Sequence, residues 1–170
     1  MRIAIDIHST PQLIFRHLNE ESLVPQWMDG LQRVEFEGGK KGRLPGARFR
    51  YVVRQLGQTL LLDGTILRFR PDEHLAVRLT TRQFSIDADF TLEIAKSVPS
   101  APPQNGPEQT RLIYSAELNE QSSLPRLLAT PFYAFLRNMT QSQLKRLKQV
   151  CEHHQSSVAT SAEVSKAPTW

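Results

Sequence analysis

One stretch constrains this chain more than any other: a helical pattern near the C-terminus, from about Leu124 to His154. Leu128, Phe132, Phe135, Met139, Leu147 and Val150 recur at helical spacing, while Arg137, Gln141, Lys145, Lys148 and Glu152 take the other side. That pattern defines an amphipathic helix. Each large apolar side chain on the stripe gains about 1.5–3 kcal/mol from full burial, so the helix needs a partner surface. Pro131 falls inside the run with Thr130 before it. The pair predicts a kink or a restart there, with Thr130 placed to cap the second segment.

The partner surface is legible upstream. Ile3, Ile5 and Ile7 alternate with Arg2, Ala4, Asp6 and His8, a half-buried strand. Ser9-Thr10-Pro11 offers a hydroxyl cap and a first-turn proline for a short helix ending near Asn19. A second short helix is expected over Glu21–Met28, closed by Asp29-Gly30. Strands follow. Val34 and Phe36 lead into a basic glycine-rich turn, Gly38-Gly39-Lys40-Lys41-Gly42. Ala47, Phe49, Tyr51 and Val53 alternate with Arg48, Arg50 and Arg54. Leu56-Gly57-Gln58 turns the chain into Thr59–Phe69, where Gly64 is expected to mark a bulge. After the turn Pro71-Asp72-Glu73-His74, two more alternating strands cover Leu75–Thr80 and Phe84–Ile94. Ser97–Glu108 holds four of the eleven prolines and reads as a long hairpin loop, because a matching strand, Thr110–Leu118, follows it.

The reading is α+β: a curved antiparallel sheet of about seven strands wrapped around the long C-terminal helix, with two short helices after the first strand. At 170 residues the chain is expected to form one domain over 1–154, followed by an aperiodic tail, 155–170, expected to be disordered. The net charge of +4 implies no global polycation. A single cysteine, Cys151, excludes an intrachain disulfide and suits a reducing compartment. The opening residues alternate at once, without a signal-peptide core, and no run is long enough to span a bilayer. A soluble, cytoplasmic protein is therefore expected.

The opening strand with Ile7-His8-Ser9-Thr10-Pro11, then Phe15, Leu18 and Pro25-Gln26-Trp27, forms a recognisable signature. So do Leu124-Pro125-Arg126-Leu127-Leu128 and Leu144-Lys145-Arg146-Leu147-Lys148 with Glu152. Over roughly residues 1–152 the chain resembles the START-like superfamily, also called SRPBCC, which includes polyketide cyclase/dehydrase-type proteins. The resemblance implies a helix-grip fold enclosing an apolar cavity for a lipid, sterol, quinone, polyketide or similar ligand. Some members of that superfamily are cyclases, aromatases or hydrolases, and others only carry or sense a ligand.

Strand alternation gives the candidate ligand contacts. Phe49, Tyr51 and Val53, then Leu75, Val77 and Leu79, then Phe84, Phe90 and Leu92, then Leu112 and Tyr114 should face inward. Trp27 from the second short helix and Phe132, Phe135 and Met139 from the long helix should face them. The ligand-binding set drawn from these is Trp27, Phe49, Tyr51, Val53, Val77, Phe90, Tyr114, Phe132, Phe135 and Met139, with Gln143. Taken singly, most such residues simply fill a core. Tyr51 and Tyr114 are the polar handles. Thr140 and Gln143 lie on or beside the apolar stripe, so either they face the cavity or the helix rises out of the sheet there.

Catalytic patterns are thin. The chain has no Gly-x-Ser-x-Gly elbow and no His-Glu-x-x-His. His8 and His74 have no carboxylate partner evident in sequence, and His153 and His154 point about 100° apart on a helix, which is no ready metal pair. Cys151 reads as a packing residue, and Asp29 and His8 are weak candidates for a cavity-mouth acid or base. No cofactor and no metal are expected. The glycine-rich turn lacks the Gly-Lys-Ser/Thr ending and the following helix of a phosphate loop. Arg48, Arg50, Arg54, Arg78 and Arg82 share a face with Asp87, Asp89, Glu93 and Glu117, so cross-strand ion pairs explain the arginines without nucleic acid. The expected function is binding, for transport or sensing, of a hydrophobic small molecule. One alternative is a cyclase or dehydratase acting on a polyketide-like substrate. A second is an interaction module using the basic surface, with peripheral membrane contact among its outcomes. The oligomeric state has no signature in the sequence.

Overall fold

A computed structural model describes residues 1–37, 43–55, 57–82, 84–94, 109–119 and 126–164, with the side chains of 55, 126–132 and 156–164 outside the description. Strand β1 (Arg2–His8) leads to helix α1 (Pro11–Asn19) and a single turn of helix, α2 (Val24–Trp27). Six strands follow: β2 (Leu31–Phe36), β3 (Arg48–Gln55), β4 (Gln58–Arg70), β5 (His74–Thr80), β6 (Ser85–Ile94) and β7 (Gln109–Leu118). Helix α3 (Arg126–Val164) closes the fold.

All seven strands form one sheet in the order β1-β7-β6-β5-β4-β3-β2, every pair antiparallel. The expected helix-grip architecture is therefore present. The chain enters α1 as its residues dictate: Thr10 Oγ1 accepts from the Leu13 backbone N–H at 3.3 Å, and Pro11 fills the first turn, where a missing N–H costs nothing. The second helix is shorter than expected, and residues 21–23 form a turn instead. Leu23 provides no side-chain cap there, so nothing stabilises an earlier start.

Gly64 corrects the expected bulge. The pairing is regular across it, and the register slips instead between Ile66 and Arg68. The glycine serves Phe49 on the neighbouring strand: a Cβ at this position would lie 2.3 Å from the Phe49 ring. Gly30 answers a different need, with φ +76 and Arg54 O at 2.6 Å from where a Cβ would stand.

The long helix is continuous through Pro131, not restarted there. Pro131 stands near the helix start, so its missing N–H frees only the Leu127 carbonyl. The backbone is helical as far as Val164, ten residues beyond the end expected at His154. The buried stripe is Leu136, Thr140, Leu144, Leu147 and Cys151, not the expected Phe135 and Met139. These faces differ by one residue, about 100° of helix rotation. Glu152 Oε1 accepts from the His8 backbone N–H at 2.9 Å, and Lys148 Nζ donates to Asp6 O at 2.6 Å. Arg146 reaches Asp29 at 3.2 Å. These bonds pin α3 to β1 and to the end of α2. The Gly38–Gly42 turn, the Ser97–Glu108 loop and the Thr130 cap lie outside the described residues.

Candidate functional site

Between α2, α3 and the inner face of β3 to β7 lies a cavity of about 60 Å³. The sheet supplies Tyr51, Leu75, Val77, Leu79, Ala88, Phe90 and Tyr114; the helices supply Leu18, Trp27, Met28, Thr140, Gln143 and Leu144. The strand residues arrive there by alternation, since Val77 pairs with Ala88, Leu75 with Phe90, and Phe90 with Tyr114. Trp27 is held in place by donating Nε1–H to the His17 carbonyl at 2.8 Å. Its ring meets Phe90 edge-on at 6.5 Å, and Phe90 lies 5.0 Å from Tyr114.

Four polar side chains interrupt the apolar lining: Tyr51, Tyr114, Thr140 and Gln143. Burial raises the pKa of both tyrosines, opposed at Tyr51 by the positive charge of Arg43 and at Tyr114 by a side-chain hydrogen bond with Thr140. Both phenols are therefore neutral at physiological pH and able to donate. The described lining contains no carboxylate, imidazole or amine, so it offers hydrogen bonds and no strong base.

Of the residues expected to contact a ligand, Trp27, Tyr51, Val77, Phe90, Tyr114 and Gln143 line this cavity. Phe49 and Val53 are buried in the same core without lining it. Phe135 stands 52% exposed, and Met139 is half-buried beside the cavity wall rather than in it. The helix phase explains both: the face that meets the sheet is centred on Thr140, so Phe135 is turned outward. The Phe132 side chain lies outside the described residues. Thr140 and Gln143 line the cavity rather than lying where the helix rises out of the sheet. Leu18, Met28, Ala88 and Leu144 complete the wall. Ala88 was available from the β6 alternation and Leu144 from the 3.6-residue spacing of Thr140, Leu144 and Leu147.

Four of the histidines and some of the arginines are tied into the scaffold. His8 Nδ1 lies 3.1 Å from Glu152, and His74 Nε2 lies 2.7 Å from Asp89, partners that were not evident in sequence. His17 is fully buried, with Nε2 3.1 Å from His154 Nδ1; burial, then the neighbouring His154 and Arg16, lower its pKa to about 4. On the outer face Arg50 pairs with Asp63 and Arg78 with Asp87, each at 2.7 Å. Arg48, Arg54 and Arg82 have no ion pair among the described residues. Asp29 and His8, the weak acid–base candidates, do not line the cavity. Burial pushes the Cys151 thiol up to about 12, consistent with a packing role.

A second, open groove lies at the other end of the sheet, lined by Pro11, Gln12, the turn at Arg70–His74 and the end of β6.

Comparison with known proteins agrees with this architecture. A START superfamily protein from Mycobacterium smegmatis superposes with a TM-score of 0.65 at 16% identity, over 90% of this chain and 97% of that one. A protein of unknown function from Staphylococcus aureus gives 0.64 at 14% identity, over 92% and 96%. The di-domain ARO/CYC protein of the steffimycin biosynthetic pathway gives 0.66 at 11% identity, with 92% of this chain covering 46% of that one. At such identities these likenesses establish the fold alone. No curated protein matches the chain in sequence. No helix among the described residues is long and apolar enough to cross a membrane. The family and fold are consistent with hydrophobic-ligand binding or with polyketide cyclase/dehydrase chemistry. With residues 1–152 matched from the first strand to the gripping turns of α3, the chain belongs to the family of polyketide cyclase/dehydrase and lipid transport proteins.

Proposed function

We propose that the protein binds a small hydrophobic molecule carrying a hydrogen-bonding oxygen or nitrogen, held between the sheet and α3. One observation carries the reading: Tyr51, Tyr114, Thr140 and Gln143 converge on a cavity that is otherwise apolar. Tyr114 and Thr140 answer each other with a side-chain hydrogen bond, whereas a core that only needed filling could carry aliphatic side chains at all four positions, since replacing a paired polar couple by apolar groups of the same shape costs little. Apolar walls with a few placed polar groups are the usual build of a small-molecule site.

The cavity volume adds a condition. About 60 Å³ holds a few water molecules, whereas small-molecule pockets run to about 300–1,000 Å³. A ligand must therefore displace side chains on entry. Met28 and Gln143, unbranched and on the helical wall, are the ones that can swing without breaking the sheet.

The alternative, a cyclase or dehydratase, draws support from the family description. The described cavity would contribute two neutral phenols that polarise a carbonyl and no group to take a proton, which favours binding over proton-transfer chemistry. The test is native mass spectrometry of the purified protein, with displacement assays using fatty acids, quinones and aromatic polyketides. Tyr51→Phe and Tyr114→Phe should each weaken the bound ligand by about fivefold to tenfold, one hydrogen bond's worth. Failure of every ligand class to bind would end the proposal, and turnover of a polyketide would replace it with the enzymatic reading.

A further inference from the structure

The strand register places a set of exposed side chains at one end of the molecule, the end where β1 begins. There β7 finishes, β5 turns into β6, β3 turns into β4, and α3 starts out toward β1. Four large apolar side chains stand exposed on these elements: Leu60 (44%) and Leu61 (54%) at the β3–β4 hairpin, and Tyr133 (43%) and Phe135 (52%) on the first half of α3. Single exposed apolar residues need no explanation, but a group of four on two elements at one end does.

Among the described residues, the charges at the same end are unbalanced. Arg2, Arg54, Arg82 and Arg137 are exposed and have no ion pair among the described residues. Among the described residues, the acidic side chains there are mostly neutralised: Asp29 by Arg146, Asp63 by Arg50 and Asp87 by Arg78. Glu117 remains. Aromatic and leucine side chains among uncompensated arginines are the composition of a surface that sits at a lipid headgroup layer. The cavity lies just behind this end, since Tyr51, Leu79 and Thr140 of its wall are close in register to the same turns.

We propose that this end is a docking face for an anionic lipid surface, with Leu61 and Phe135 entering the interfacial region and Arg2, Arg54, Arg82 and Arg137 contacting headgroups. It goes beyond the ligand reading, because it is carried by the outer surface rather than by the cavity.

The test is co-sedimentation of the full chain with phosphatidylcholine vesicles and with mixed phosphatidylcholine–phosphatidylglycerol vesicles. Binding is expected to the mixed vesicles, to fall with added salt, and to weaken about tenfold or more in Arg82→Glu/Arg137→Glu. Leu61→Asp/Phe135→Asp should abolish it. Leu44→Asp, at a leucine even more exposed (66%) at the other end of the sheet, should leave it unchanged. Equal binding to both vesicle types, no binding to either, or equal loss in Leu44→Asp would overturn the proposal. So would a dimer that buries Leu61 and Phe135, seen by analytical ultracentrifugation. Ligand displacement without vesicles keeps the two readings apart: the docking variants should retain ligand binding, and vesicle binding without any cavity ligand would leave this proposal standing alone.

Discussion

Acidification should unlock the junction between α1 and α3 through His17. The imidazole is fully buried, with Nε2 against His154 and no partner for Nδ1. Its pKa is lowered to about 4, chiefly by burial, against about 6.5 in an unfolded chain. Between those values the unfolded state binds a proton that the folded state refuses, so stability falls as pH drops through this window. The loss between pH 7 and pH 5 works out at about 2 kcal/mol, and deeper acid adds about 1 kcal/mol more. The carboxylates of Asp6, Glu20, Asp87 and Glu152 are all lowered by their partners. Their contributions are present above their unfolded pKa values and disappear only below about pH 4.5, so the two windows separate. Urea midpoints at pH 7, 6 and 5 should fall steadily in the wild type and less steeply in His17→Gln. An NMR titration of the His17 ring supplies the direct reading. A His17 ring that titrates near pH 6.5, or identical pH slopes for the two proteins, would refute the reasoning.

Other consequences follow from single contacts. Gly64→Ala drives a methyl into the Phe49 ring, which is hemmed in by Phe36 at 5.4 Å and Tyr51 at 4.8 Å. The cost should be about 1–3 kcal/mol in urea unfolding, and a wild-type midpoint would show that the ring has room. Cys151, buried and with its thiol pushed up to about 12, should react with a disulfide reagent near pH 8 only as fast as the protein unfolds; rapid stoichiometric labelling would contradict its burial. Arg78→Ala, despite losing two 2.7 Å bonds to Asp87, should cost no more than about 1 kcal/mol, because the guanidinium is half exposed to screening water. A larger loss would mean that the outer-face pairs do more than satisfy local charge.

How far the chain could be read from its residues depended on range. Alternation in β1, β3, β5, β6 and β7 marks inward residues directly, because each strand shows one face to α3 and one to water. The order of elements then leaves few topologies, and the observed sheet follows. The phase of α3 was less legible. Phe132, Phe135 and Met139 draw attention by size, while the face that packs is centred on a threonine, which only the partner surface reveals. Gly64 shows the same difficulty: a glycine in a strand signals that a side chain is unwelcome, but whether a bulge or a neighbouring ring is the cause depends on residue 49, which only pairing brings alongside. His8 and His74 met carboxylates 144 and 15 residues away, and no local pattern carries such information. For the site, the strand contributions Tyr51, Val77, Phe90 and Tyr114 were legible, as were Trp27 and Gln143; Met28 had no signal of its own.

The central claim is that the space under α3 is a ligand site and not an imperfection of packing. Ala88, 5% exposed and on the cavity wall, allows that to be decided by filling the space. Ala88→Leu should keep or raise the thermal midpoint, because the added methyl groups occupy a void, and should reduce affinity for the ligand found by native mass spectrometry by more than about tenfold. A variant that folds as well as the wild type and binds that ligand with unchanged affinity would contradict the account.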